Sequence, residues 1–519
     1  MYYLCVLYES KKIEENLSAK IGQIPPLFLA LYVASKIHRL RQKRKREIKK
    51  RRRKRRRKTT MISFFLSSSS STVASSSEKS STTKMMMMMM SPRRRRWLLT
   101  KGTTSNGRKK SINASPLFSC VASLNDDNNN NNNIKSIVKT KSVVFVRHGQ
   151  STWNERGIIQ GSSDESVLTE LGETQARRSY ELLRSEKFDH CLRSPLQRAY
   201  RTAEVIWGEE RNREKMDTID DLREIDLYAF QGLDKNDKET IEKREFANAY
   251  AQWKTAPEKF EVSGHFPVVE LWERGDKCWK EYIFPLVLDE SKSIDSLLVV
   301  AHNAVNQSLL GNALGIGPEY FRRILQNNCG ITKVELTTTS LGKDNSNELT
   351  LVKLNQTGGG NAPIKSNVDG KRYVVLVAAK HFGDKMNEAM GEINTIHTLL
   401  ADVSFTRILS VCSASVDTNV ECVLTKGLSA LFKQKNLAEC VKLETDASNE
   451  SVQAAALEST GNILVVARDE KACRQILSGC LNIPTHVSER IKVMPGDGVT
   501  IVDVSKGFDK SAVNCVNFI

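Results

Sequence analysis

The sequence predicts an α/β protein: a mainly parallel sheet flanked by helices, followed by a degenerate second copy of the same arrangement. Three observations lead there. Short β-branched runs alternate with stretches of helical periodicity from about residue 139 to 316, the pattern of βαβ units. The early runs end abruptly on polar or charged residues, as in VVFVRHG (Val143–Gly149). Two late runs, YVVLVAAKH (Tyr373–His381) and NILVVAR (Asn462–Arg468), echo the early ones.

The first 138 residues carry no such pattern. Residues 1–60 are expected to be a disordered basic extension. Within them Arg39–Lys58 holds 16 positive charges and one Glu, a block that repels itself and stays solvated. It reads either as a nuclear signal or RNA-binding arm, or as an extension translated from an upstream start and absent from the natural protein. The second reading is preferred, because Met61 opens a segment that makes sense alone. Across residues 61–124 Ser, Thr, Lys and Arg abound and Glu78 is the only acid, the composition of an organelle transit peptide. Its Ser-rich start fits a chloroplast better than a mitochondrion, so the stroma is the expected location. NDDNNNNNN (Asn125–Asn133) then reads as a polar linker, completing a leader over 61–138.

Charge follows the same division. The 519-residue chain has a formal net charge of +18, yet residues 1–135 hold 31 Lys and Arg against 7 Asp and Glu, which leaves the remainder at −6. The basicity belongs to the leader, so no nucleic-acid partner is expected for the mature protein. The 11 cysteines show no C-x-x-C pair and no metal-like Cys/His spacing. A reducing compartment, no metal and no cofactor are expected. The longest apolar stretch near the N-terminus, Ile24–Ala34, is too short to span a bilayer, and no membrane association is expected.

Ordered structure is expected over residues 139–355. Ser142–Val146 (SVVFV) is a buried strand by its β-branched run. Thr169–Glu186 opens on a Thr cap and places apolar residues at helical spacing. FDHCLRS (Phe188–Ser194) is a second strand, and Pro195–Gly208 a second helix with Pro195 in its first turn. Ser296–Ala301 (SLLVVA) is another strand, followed by the helix Asn303–Gly315. In such sheets ligands sit in the crevice beyond the carboxyl ends of the strands. Arg147–His148, Arg193–Ser194 and His302 all fall just past strand ends, so three segments aim polar groups at one place.

Those groups suit phosphoryl transfer without a metal. Arginine's planar fork holds a dianionic phosphate bidentately, a role for Arg147 and Arg198. A neutral imidazole serves as nucleophile, and flanking arginines lower its pKa by charge repulsion. His148 would attack and His302 would help to hold the transferring group. An acid must protonate the leaving oxygen and then activate water. DLREIDLYAFQG (Asp221–Gly232) offers Glu224 and Asp226 on one side of an extended segment.

Here the residues carry a resemblance. RHGQSTWN (Arg147–Asn154) resembles the signature of the histidine phosphatase superfamily, also called phosphoglycerate mutase-like. Companion segments follow in order over about Lys139 to Asn355: SVLTELGETQA (Ser166–Ala176), SPLQRAYRTA (Ser194–Ala203), LREIDLYAFQG (Leu222–Gly232) and VVAHNAVNQSLL (Val299–Leu310). The resemblance implies a phosphohistidine on His148, Glu224 as the acid, and Arg147, Arg198 and His302 around the phosphoryl group. Asn154 matches an asparagine near phosphate and substrate. Gln160, Gly161 and Asn303 join it as candidate substrate contacts, although the position of Asn303 is often small in the family. AHNAVNQSLL and GIGPEYFR are most similar to plastid members acting on a phosphorylated sugar acid. Fructose 2,6-bisphosphatase domains share the Glu-Ile-Asp stretch, and mutases share the same catalytic core. A small phosphorylated sugar or sugar acid is therefore the expected substrate, with a sugar bisphosphate as alternative. A mutase is a weaker alternative, and a regulatory or scaffolding protein is the rival from another class. Oligomeric state is open.

His190 and His265 are expected to be structural. In VSGHFPVVELWERG (Val262–Gly275), Glu270 and Arg274 are candidates for a substrate wall, with a helix N-terminus and surface ion pairs the preferred reading.

After a linker over 356–372, residues 373–519 read as the degenerate copy. Against SVVFVRHGQ, the strand Tyr373–Ala378 replaces Arg147 and His148 with Ala378 and Ala379, and Arg468 stands where His302 stood. Aligning Ser413 with Ser194 puts Asp417 at the place of Arg198. This half is expected not to hydrolyse phosphate. Covering the mouth of the first domain, dimerisation and binding of a regulator are all open to it.

Overall fold

A computed structural model describes residues 137–237, 247–341, 344–358, 370–380, 386–411, 423–433, 440–443, 449–496 and 498–519. The expectations for residues 1–136, and for Ser413 and Asp417, lie outside them.

Six strands belong to the first half: β1 (Ile137–Arg147), β2 (His190–Arg193), β3 (Met216–Thr218), β4 (Ser296–Ala301), β5 (Ile331–Leu341) and β6 (Asp344–Gln356). Six more follow: β7 (Tyr373–Ala378), β8 (Phe405–Val411), β9 (Cys440–Leu443), β10 (Asn462–Ala467), β11 (Val499–Asp503) and β12 (Ala512–Phe518). Among the described residues they form one sheet, in the order β3-β2-β4-β1-β5-β6-β12-β11-β7-β10-β8-β9. Outward from the central β6–β12 pair, each half runs through the same sequence of strands. The outer pairings, β4 with β1 and β2, β2 with β3, and their counterparts in the second half, are parallel. The pairings from β1 through β5, β6, β12 and β11 to β7 are antiparallel.

The parallel strands are the uninterrupted apolar runs of the sequence because helices cover both of their faces. All six residues of β4, β7 and β10 are buried. The central antiparallel strands have a different pattern. In β5 and β6, Val334, Leu336, Leu349 and Leu351 turn inward among polar neighbours, and this alternation was not anticipated as a pair of strands. One apolar core runs under both halves, from Phe145 and Leu297 through Leu354 and Val516 to Leu376 and Val465.

The helix predicted at Thr169 spans Glu170–Leu183, with the Thr169 hydroxyl accepting from the Gly172 N–H. The next helix differs from expectation. It spans Gln197–Trp207 with Leu196 as N-cap, so Pro195 lies before its first turn; an extended Leu196 is the conformation that the chain needs to leave β2. Asn303–Leu314 follows β4 directly and ends on Gly315 in the left-handed conformation. The register of β1 against β4 sets Arg147 beside Ala301, which puts His148 and His302 side by side at the carboxyl ends of these two inner strands. In the second half Ala378 lies beside Ala467 in the same way. The backbone bond from His148 N–H to Ala301 O, 3.0 Å, has its counterpart from Ala379 N–H to Ala467 O, 2.9 Å.

Candidate active site

The loop after β1 is held by an unusually close backbone approach. A Cβ at Gly149 would stand 2.5 Å from the Gly172 carbonyl oxygen, and one at Gly172 would stand 2.1 Å from the Gln150 oxygen. Two glycines, one in RHG and one in LTELGETQ, thus let the loop lie on the start of the helix Glu170–Leu183. The Gly149 N–H donates to Thr202 Oγ1 at 3.1 Å, and Gln150 N–H to Gln175 Oε1 at 2.8 Å.

His148 is 2% exposed. Its Nδ1 lies 2.7 Å from the Gly149 carbonyl. A carbonyl only accepts, so Nδ1 carries the proton and Nε2 keeps its lone pair for attack. Its pKa is held well below the usual histidine value, chiefly by burial, with the Arg147 and Arg198 cations adding to the effect. The arginines therefore come second to desolvation, contrary to the sequence reading. His302 is fully buried, with its ring centroid 5.1 Å from that of His148. Burial, then Arg198 and His148, hold its pKa well below the usual value too. Its Nε2 is 2.8 Å from Ser194 Oγ. Donation by that hydroxyl places the ring's own proton on Nδ1, a buried atom with no partner among the described residues.

The two arginines are engaged on one side only. Arg147 Nη1 donates to the Gln326 carbonyl at 2.8 Å. Arg198, buried in full, donates to the carbonyls of Ser163 at 2.7 Å and Gly161 at 2.9 Å. The Nε of each is buried and unpaired among the described residues. Burial lowers the pKa of both; for Arg198 it falls to about 10, which leaves that side chain charged at neutral pH. Three orphaned donors, Arg147 Nε, Arg198 Nε and His302 Nδ1, thus belong to the residues around the His148 ring. Such groups are costly unless something accepts from them.

Glu224 reaches the same place from the loop after β3. Its carboxylate accepts from the N–H groups of Ala304 and Val305 at 3.1–3.2 Å, at the first turn of Asn303–Leu314, and from its neighbour Ile225 at 3.0 Å. Asp226 does not join it: its Oδ1 caps the Tyr228 N–H at 2.9 Å, because the segment turns instead of staying extended. Arg193 also departs from expectation. It stacks on Tyr200 at 3.5 Å and bonds Thr218, leaving Ser194 as that segment's contribution.

Arg147, His148, Arg198 and Glu224 line a cleft of about 580 Å³, together with Asn154, Gln160, Gly161 and Asn303. Asn154 Oδ1 accepts from Ser151 and Asn328, and Gln160 Oε1 accepts from the Ser151 hydroxyl, so that among the described residues both amide NH2 groups are left to a ligand. Gly161 has φ +53°, and a Cβ there would meet Gln231 Oε1 at 2.2 Å. Asn303 Oδ1 accepts from Gln307. Glu270 and Arg274 do not line the cleft. Glu270 bonds Tyr228 Oη and His265, while Arg274 donates to the carbonyls of Arg223 and Glu224, fixing the acid loop from behind. His190 pairs with Asp217 at 2.8 Å, away from the cleft. Among the described residues no group of three His, Cys, Asp or Glu side chains could hold a metal ion, and no helix is long and apolar enough to cross a membrane.

Sequence reasoning missed Asn328, whose amide bridges the His148 carbonyl and Asn154. No local signal marks it. It also missed Lys235 and Arg322 on the cleft wall, although the Arg322–Arg323 pair directly after GIGPEYF was a visible cue.

Residues 143–347 match the model of the histidine phosphatase superfamily, branch 1. "Probable phosphoglycerate mutase GpmB" of Proteus mirabilis is 32% identical over 202 residues, 37% of this chain and 84% of that protein. The chain belongs to the histidine phosphatase superfamily. Among its members, "Probable 2-carboxy-D-arabinitol-1-phosphatase" of Arabidopsis thaliana is 39% identical over 68% of this chain. "2-carboxy-D-arabinitol-1-phosphatase" of Triticum aestivum is 44% identical over 46% of it. The matches span 65% and 46% of the length of those two relatives.

Proposed function

We propose that this histidine phosphatase hydrolyses a sugar-acid phosphate, 2-carboxy-D-arabinitol 1-phosphate, through a phosphohistidine and without a metal. The observation carrying the chemistry is His148: its Nδ1 proton is committed to the Gly149 carbonyl, and orphaned cationic donors belong to the residues around its ring. His148 Nε2 attacks phosphorus while the bond from phosphorus to the sugar oxygen breaks. Glu224, protonated in the enzyme–substrate complex, gives that oxygen its proton and is left as the carboxylate. Arg147, Arg198 and His302 neutralise the charge on the transferring group. Water then attacks phosphorus, Glu224 takes its proton, and the P–N bond breaks to release phosphate and neutral His148.

The substrate assignment is supported by the names of the two plant relatives and by a cleft roomy enough for a sugar phosphate. A plastid location is supported by the acid-poor, Ser-rich composition of residues 61–124. The test is hydrolysis, in the presence of a chelator, of a panel of sugar phosphates by the full chain and by His148→Ala. Selective, His148-dependent turnover of 2-carboxy-D-arabinitol 1-phosphate supports the whole reading. His148-dependent turnover of fructose 2,6-bisphosphate instead rejects the substrate and keeps the mechanism. No turnover on any compound favours a regulatory role.

A further inference from the structure

The cleft is larger and more basic than one phosphoryl group requires. Nine Lys and Arg line it against four carboxylates. Of these four, Glu224 already accepts from a helix N-terminus and Asp503 is paired with Lys371. The wall furthest from the catalytic core in sequence comes from the second half, from the turn between β11 and β12, where Lys506 and Lys510 are exposed.

Arg322 is the anchor of this outer region. It is open to solvent inside the cleft, yet protein surrounds it so closely that desolvation pulls its pKa down to about 10. Its guanidinium lies 4.5 Å from the Trp253 ring centre, and no carboxylate pairs with it among the described residues. Its backbone takes φ +73°, a left-handed conformation costly for arginine, and its N–H is held by Gln307 Oε1 at 2.7 Å. Lys235 stands close enough to feel the charges of both Arg147 and Arg322, and it too has no carboxylate partner among the described residues. Like charges gathered without partners store a repulsion that an anion relieves.

We propose that Arg322 and Lys235 bind a second anionic group of the substrate, a carboxylate or a second phosphate, while Lys506 and Lys510 of the second half close the outer wall of that site. The enzyme then selects phosphate esters that carry two separated anions, and the non-catalytic half is part of the specificity pocket. This inference rests on the phosphatase reading, because it places the first anion at Arg147 and Arg198.

Competition against hydrolysis of p-nitrophenyl phosphate, an ester with no second anion, tests it. Three competitors are used: glycerol 3-phosphate with one anionic group, 3-phosphoglycerate with an added carboxylate, and fructose 2,6-bisphosphate with a second phosphate. In the unmodified protein at least one of the latter two competes about tenfold better than glycerol 3-phosphate, the effect of one charge-assisted contact. Which of them gains distinguishes carboxylate from phosphate. Arg322→Gln removes most of that preference, and Lys506→Gln with Lys510→Gln, two exposed positions that leave the core alone, weakens it about threefold. Equal competition by all three in the unmodified protein overturns the proposal, as does a preference that survives Arg322→Gln. A preference sensitive to Arg322 but not to the two lysines overturns the part given to the second half. If neither p-nitrophenyl phosphate nor any sugar phosphate of the panel is hydrolysed, the phosphatase reading fails by itself; in either case calorimetric binding of the same three compounds still reads the second anion site.

Discussion

Glu224 is assigned two tasks, and a substitution there separates them. Its carboxylate caps the N–H groups of Ala304, Val305 and Ile225, and it faces the cleft where the leaving oxygen would stand. Glu224→Gln keeps an acceptor oxygen but loses the charge and the transferable proton. The lost charge weakens the helix cap by about 1 kcal/mol, a fall in melting temperature of roughly 2–4 °C. Glu224→Ala strands the N–H donors of Ala304 and Val305, which are 3% and 0% exposed. That costs about 2–4 kcal/mol and roughly 5–15 °C. In catalysis, Gln lowers kcat on a sugar phosphate by about 10²–10⁴-fold, the worth of a general acid. p-Nitrophenyl phosphate is the discriminating substrate, since nitrophenolate leaves without a proton. With it, Glu224→Gln releases about one equivalent of nitrophenolate rapidly and then stalls, because no base activates water. Stopped-flow absorbance reads the burst and scanning calorimetry reads the melting. Equal slowing of the first step for both substrates, with no burst, refutes the acid assignment. Unchanged melting in Glu224→Ala refutes the cap.

Other consequences follow from burial and close contact. His148 and His302 are both held well below an ordinary pKa of 6.5, so below that pH the unfolded chain takes up protons that the folded chain refuses. Stability is level above about pH 6.5 and falls as pH drops, by up to about 1.4 kcal/mol per pH unit for each ring; urea midpoints across that range fall less steeply in His148→Gln. By the same depression, kcat/KM shows no loss from histidine protonation as pH falls from about 7.5 to about 6. Gly172→Ala pushes a Cβ to 2.1 Å from the Gln150 oxygen and displaces the RHG loop, lowering kcat about 10²-fold. Gly391→Ala, with nothing within 4 Å and a helical position, serves as control and raises stability by about 0.5–1 kcal/mol.

Much of the site was legible because the chemistry sits at strand ends. SVVFV and SLLVVA are uninterrupted apolar runs, and the residues just beyond them, Arg147, His148 and His302, had nowhere to point but the crevice. The acid was half legible. LREIDLYAFQG offered two carboxylates, and only the turn at Tyr228, with φ +46°, sends Asp226 away from Glu224. Burial was not readable at all, so the arginines were given a pKa effect that desolvation dominates. The central strands escaped notice because β5 and β6 mix polar with apolar residues, β11 and β12 are short runs broken by Thr500, Asn514 and Asn517, and none carries a site motif. Their pairing is what brings Lys506 and Lys510, some 360 residues from His148 in the chain, to the wall of the cleft, and no local pattern encodes that.

The central claim is that His148 carries the phosphoryl group. The direct test is mass spectrometry on the protein after rapid quenching during turnover, with peptides mapped under alkaline conditions that preserve phosphohistidine. One phosphoryl group on the peptide holding His148, absent from His148→Gln, is the predicted result. Steady turnover with no adduct, or an adduct on another residue, contradicts the account.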